Sequence, residues 1–233
     1  MKTIVLLATI VIGVSTGMSV LASSVIFTGS MLSSNLSASA TFTDLGGGNL
    51  EITLVNTYTG DTVDQSHVLT ALFFSGATGL IPVSALADSG STEWTAGAST
   101  PSGGMDVGAN WQYISGTGIS SAGFGVFSAG NFPPSPSAML DGSAWGLLSA
   151  GYAGLHLDGL DDRTYIQNSV VFTLSGFTGS LSGITGVSFQ YGTTLSEANI
   201  IGVPEPTGLI PGAMLLAVVW ASARRRQFKS CKA

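Results

Sequence analysis

Disulfides are excluded within this chain, because its 233 residues include a single cysteine, Cys231. Whatever folds here must be stabilised by burial, even in an oxidising compartment that would permit cross-links. Positive charge is nearly missing from the middle: of seven lysines and arginines only Arg163 falls between residues 23 and 206, whereas all 13 acidic residues do. That segment is about 12 charges negative, which argues against nucleic acid or anionic lipid as a partner and favours solubility. Its carboxylates are spread from Asp44 to Glu205 and form no solid acidic block.

Histidine is as scarce, with only His67 and His156. A hydrolytic site needs a base and a group to orient it, so the chain is read as a non-enzyme. The Gly13-Val14-Ser15-Thr16-Gly17 stretch matches the nucleophile-elbow pattern, but it lies in an apolar leader and is a coincidence of composition. The middle also has few strong helix formers and holds most of the 32 glycines. No internal repeat is visible, which argues against a propeller or a β-solenoid.

What is present is concentrated at the two ends. Met1 and Lys2 form a short positive start, residues 4–14 an apolar run, and Val20-Leu21-Ala22 a compact site of the kind a signal peptidase reads. Residues 1–22 are therefore expected to be a signal peptide, with Ser23 as the mature start. At the other end, residues 207–223 carry no charge. As a helix these 17 residues would reach roughly 26 Å, slightly short of a hydrocarbon core of about 30 Å. Pro211 and Gly212 weaken the span, and snorkelling arginines lengthen it. Arg224, Arg225 and Arg226, with Lys229 and Lys232, are the only dense cationic cluster, so residues 224–233 are expected to face the cytoplasm. A GPI anchor is disfavoured, because such tails end apolar.

Between these ends the pattern is that of one all-β domain, residues 23–202, expected to be an antiparallel β-sandwich of jelly-roll or immunoglobulin-like type. Residues 50–56 alternate so that Leu50, Ile52 and Leu54 share a face. Residues 68–74 are nearly continuous in apolar side chains and predict a central strand. Further strands are expected at residues 39–44, 111–115, 123–128, 169–174 and 186–192. Long loops are expected at 88–104 and 131–136.

Two candidate binding features stand out. His156, Asp158, Asp161 and Asp162 bring one imidazole and three carboxylates into seven residues. That density could hold Ca²⁺, though the spacing departs from the EF-hand loop, and a solvated acidic turn in which Arg163 offsets some of the charge is the commoner reading. Trp111 and Tyr113 fall on one side of a strand and are candidate sugar-stacking faces, as are Trp94, Trp145 and Tyr152; core packing is the other reading. Asp141-Gly142 reads as a turn.

Val203-Pro204-Glu205-Pro206, an apolar span and a terminal arginine cluster, in that order, resemble the PEP-CTERM sorting signal of Gram-negative bacteria. Its members are substrates of exosortase, a membrane transpeptidase-like enzyme. The resemblance covers about thirty residues and implies a temporary inner-membrane anchor, processing at Val203 to Pro206, and passage to the cell surface or the exopolysaccharide matrix of a biofilm. Ala40-Thr41-Phe42, residues 50–57, 69–74, 168–174 and 187–193, and Asp161-Asp162 are similar to a double-aspartate group of exosortase-dependent surface proteins. That likeness supports the destination and implies no activity. The expectation is a secreted structural or interaction protein whose partners are signal peptidase, exosortase and, transiently, the inner membrane. The alternative is a carbohydrate- or Ca²⁺-binding adhesive module, with exopolysaccharide as a further partner.

Overall fold

The alternation at residues 50–56 translates directly into a strand. Leu50, Ile52 and Leu54 have no exposed surface, while Glu51, Thr53 and Val55 between them stay half-buried. The computed structural model describes residues 22–127, 132–133, 140, 142–154, 160 and 163–206, and among these the protein is all-β. The predicted signal peptide up to residue 21, the apolar span and the basic tail lie outside the described residues. No helix among the described residues is long and apolar enough to cross a membrane.

Fifteen strands are described. In chain order they are β1 (Ser23–Met31), β2 (Leu36–Gly46), β3 (Asn49–Asn56), β4 (Leu69–Ser75), β5 (Ile81–Ala87), β6 (Thr92–Thr95), β7 (Ala98–Pro101) and β8 (Gln112–Ile114). The remainder are β9 (Gly118–Ser120), β10 (Leu147–Leu148), β11 (Thr164–Gln167), β12 (Ser169–Ser175), β13 (Thr185–Tyr191), β14 (Asn199–Ile201) and β15 (Val203–Pro204).

One sheet has the order β15-β1-β2-β3-β12-β5. The other runs β14-β13-β4-β10-β11-β6-β7, with β9 also paired to β4 and β8 hung on β9. Every pairing in the first sheet is antiparallel. The second is mixed, because β10 and β11 run parallel, with Leu147 opposite Ile166 and Leu148 opposite Gln167. A purely antiparallel arrangement is thus corrected at one short pair.

The buried faces of both sheets contribute to one apolar cluster. Phe42 of β2 lies edge-on to Phe74 of β4 with ring centroids 5.3 Å apart, and Phe27 of β1 lies edge-on to Phe42 at 5.7 Å. Such offset aromatic pairs add about 0.5–1.5 kcal/mol each beyond area burial. Asn56 is buried and donates from Nδ2 to the Leu147 carbonyl at 3.0 Å, satisfying a polar link between the sheets. The central placement expected for residues 68–74 holds: β4 buries Leu69, Thr70, Ala71, Leu72 and Phe74, and Thr70 Oγ1 donates to the Gly192 carbonyl at 2.7 Å.

Two expectations fail for local reasons. Residues 123–127 form a turn and not a strand: Phe124 and Gly125 both have positive φ, 48° and 76°, and Val126 and Phe127 donate back to the Gly123 carbonyl at 3.0 and 2.9 Å. Phe127 then stacks on Phe73. Within the expected loop 88–104, β6 and β7 form a hairpin. Its two central residues, Ala96 and Gly97, have φ of 50° and 73°, the doubly left-handed turn that matches strand twist. β7 is exposed throughout, so no buried periodicity marks it.

Asp64 caps the short 3-10 turn Gln65–His67. Its Oδ1 accepts from the Ser66 backbone N at 2.7 Å and Ser66 Oγ at 2.6 Å, with His67 Nδ1 3.1 Å away. Partial burial pushes the carboxyl upward, but the Ser66 hydrogen bonds and His67 outweigh it and hold it below the usual 3.8. A depressed folded-state value contributes stability above the unfolded value that is lost as pH falls through the folded one. Asp64→Ala is expected to cost about 0.5–2 kcal/mol near neutral pH, with the deficit shrinking as pH is lowered through that carboxyl's titration. Urea titrations of both proteins at a series of pH values check this.

Candidate functional site

The residues singled out for the sorting motif sit where the two sheets meet at one edge. β14 pairs with β13, placing Ile200 opposite Phe189 and Ile201 opposite Ser188. Gly202 donates its N–H to the Val187 carbonyl at 2.8 Å, and the chain then crosses to the other sheet as β15. There Val203 lies opposite Thr28 and Pro204 opposite Phe27. A proline lacks a donor and is tolerated on an outermost strand, which is the position Pro204 occupies.

Glu205 extends the docking by one residue. Its backbone N donates to the Ile26 carbonyl at 2.8 Å, and Thr28 Oγ1 donates to Glu205 Oε1 at 2.9 Å. Pro206 is exposed and outside the ladder. Val203 retains 62% of its surface and the neighbouring Ile201 76%, so the motif is surface-borne and its backbone is held on one side only.

Two clefts flank this edge. A polar one of about 440 Å³ is lined by Thr28, Ser30, Ser37, Thr57, Ile201 and Val203, among others. An apolar one of about 410 Å³ includes Val25, Phe27, Ile184, Val187, Ile201 and Pro204. Sequence reasoning missed both, and it missed β1 as well. In β1 the apolar Ile26 points outward beside the inward Phe27, which blurs the alternation.

The other candidates fare differently. Trp111 has no exposed surface and packs edge-on against Phe172 with centroids 5.0 Å apart. Tyr113 is 5% exposed and stacks on Phe74, and burial raises its phenol above the usual value. Both rings do face one way, but that way is the core, so neither offers a face to a sugar; the carbohydrate assignment at Trp111 and Tyr113 is corrected. Trp111 also precedes β8, closing the 3-10 turn Gly108–Asn110. Trp94 is half-buried, edge-on to Tyr152, and its Nε1 donates to Gln167 Oε1 at 2.8 Å.

Asp158, Asp161, Asp162 and His156 lie outside the described residues, as do Asp141 and Arg224 to Arg226. Among the described residues no three His, Cys, Asp or Glu side chains gather into a potential metal site. Asp64, Ser66 and His67 supply the residue types of a hydrolytic triad within four positions, yet the connections are wrong for it. The carboxylate takes both the Ser66 hydroxyl and the His67 imidazole, so the serine is not held by the base that would activate it.

Comparison of the chain with protein-family models, with curated proteins and with solved structures gave no match.

Proposed function

We propose that the protein is an exported structural or interaction component of a bacterial envelope or matrix. It is led out by residues 1–22, anchored for a time in the inner membrane by residues 207–223, and processed by exosortase at Val203 to Pro206. The observation that carries this reading is the order of motif, uncharged span and arginine cluster at the carboxyl end. It is supported by the position of the motif on the surface at a sheet edge, outside the core, from which it can be released without unfolding the domain. The two sheets, with one shared core between them, are read as a β-sandwich of jelly-roll or immunoglobulin-like kind. The burial of Trp111 and Tyr113 weighs against the adhesive carbohydrate module as the main role.

Mass spectrometry of the native protein from hosts with and without exosortase tests the reading. With the enzyme, surface material is expected to end within residues 203–206, and without it the precursor is expected to stay in the inner membrane. Surface-exposed protein that keeps residues 224–233 in a host containing the enzyme would overturn it.

A further inference from the structure

We propose that β1 acts as a latch on the sorting motif, so that the folded domain sets the rate at which the motif becomes available for processing. This rests on the sorting reading above. The motif is not a free linker: Val203 and Pro204 are in register with Thr28 and Phe27, and the Glu205 backbone N–H is committed to the Ile26 carbonyl. The Glu205 carboxylate is committed as well, to the Thr28 hydroxyl.

An enzyme that cuts within a peptide commonly takes its substrate as an extended strand, pairing with the backbone and pocketing alternate side chains. On the β1 side those backbone groups are already paired, and the Glu205 carboxylate is drawn toward Thr28 by one of its two oxygens. Processing therefore draws on the undocked fraction, and apparent affinity falls in proportion to that fraction. The latch is short, two paired residues plus Glu205, which places it at the easily opened end of local stability. It is a delay and not a block. Thr28 is its tunable contact, since its hydroxyl holds the motif's only ionisable side chain.

The test uses the full-length chain in membranes that contain exosortase, with the cleaved fraction followed over time. Thr28→Val keeps the shape of the side chain and removes the hydroxyl. It is expected to raise the cleavage rate by roughly 2- to 10-fold, the range of one exposed hydrogen bond. Thr28→Cys with Val203→Cys, in a Cys231→Ser background, joins two directly opposed residues, whose separation of roughly 5.5 Å lies within disulfide range. The oxidised form is expected to be cut at least about tenfold more slowly than the same protein after reduction, as a closed latch requires.

Equal rates for Thr28→Val and the unaltered chain would overturn the latch, as would equal rates for the oxidised and reduced forms. If the reduced double variant is itself uncut, Thr28→Val decides alone. Failure of the unaltered chain to be cut would instead overturn the sorting reading, so the two failures are told apart.

Discussion

Trp111→Ala is expected to lower the free energy of unfolding by about 3–5 kcal/mol, the range for removing a large aromatic from a packed core. Trp111 has no exposed surface, and Phe172, its edge-on neighbour at 5.0 Å, also contacts Phe132 at 5.3 Å. Removing the indole deletes the contact between the chain leading into β8 and β12, an interior strand of the other sheet. Phe132 and Phe172 cannot both move in to fill the void while Phe172 stays in register with Ile52 and Ala85. Trp111→Phe, which keeps much of the volume, should cost markedly less. Urea unfolding monitored by far-ultraviolet circular dichroism measures both, with the midpoint shifting and the slope unchanged. A loss below about 1 kcal/mol for the alanine variant would mean that the indole is not part of the core and would reopen the sugar-binding reading at this position.

The second large effect is expected at Gly76, just past β4, where φ is 88°. An added Cβ would overlap the Gly183 carbonyl oxygen and crowd Ile184 Cα at 3.3 Å. Backbone strain of about 1–2 kcal/mol combines with overpacking of about 1–3 kcal/mol, so Gly76→Ala should lose roughly 2–5 kcal/mol. Gly90 provides the control, because its φ of 83° is nearly the same and nothing lies within 4 Å of its would-be Cβ. Gly90→Ala should show the strain alone, about 1–2 kcal/mol. If the two variants lose equal stability by thermal or urea unfolding, close approach at Gly76 contributes nothing and the packing of the 3-10 turn Leu181–Gly183 against that position is wrong.

Where one face of a strand is buried and the other is half-exposed, the residues advertise it. Residues 39–44, 50–56 and 169–174, and 186–192 but for Gly192 just past the end of β13, fall on observed strands, because a period of two is enforced by a core on one side. β4 was legible for the opposite reason, being buried nearly throughout. The signal disappears where that contrast does. β5 places Ile81, Val83 and Leu86 outward with 37–62% of their surface exposed, so its apolar residues do not mark the core. β10 and β15 have two residues each, too few for any periodicity. β6 and β7 are specified by their turn, and an Ala96-Gly97 pair is a weaker announcement than the asparagine-glycine that favours that geometry.

The candidate site was legible as composition and illegible as geometry. Val203 to Pro206 stand out because an uncharged span and an arginine cluster come directly after them in the chain, whereas their pairing with Phe27 and Thr28 links positions more than 170 apart. No local pattern encodes such a pairing. Trp111 and Tyr113 show the converse. Their spacing correctly put both rings on one side of the chain, but spacing alone does not say whether that side faces solvent or core, and the two large rings are buried among Phe74 and Phe172.

The antiparallel course of β15 along β1 also has a mechanical meaning. A pull transmitted through residue 206 reaches the Glu205–Ile26 rung first, then the Val203–Thr28 rung, loading them in series and not together. Peeling of this kind yields at small force, because each bond breaks before the next is stretched. β2, β3, β12 and β5 are paired to their neighbours along six or more residues and would feel little of the load. Tension on the tail would therefore be absorbed by a compliant hinge of a few residues while the body of the domain stays whole.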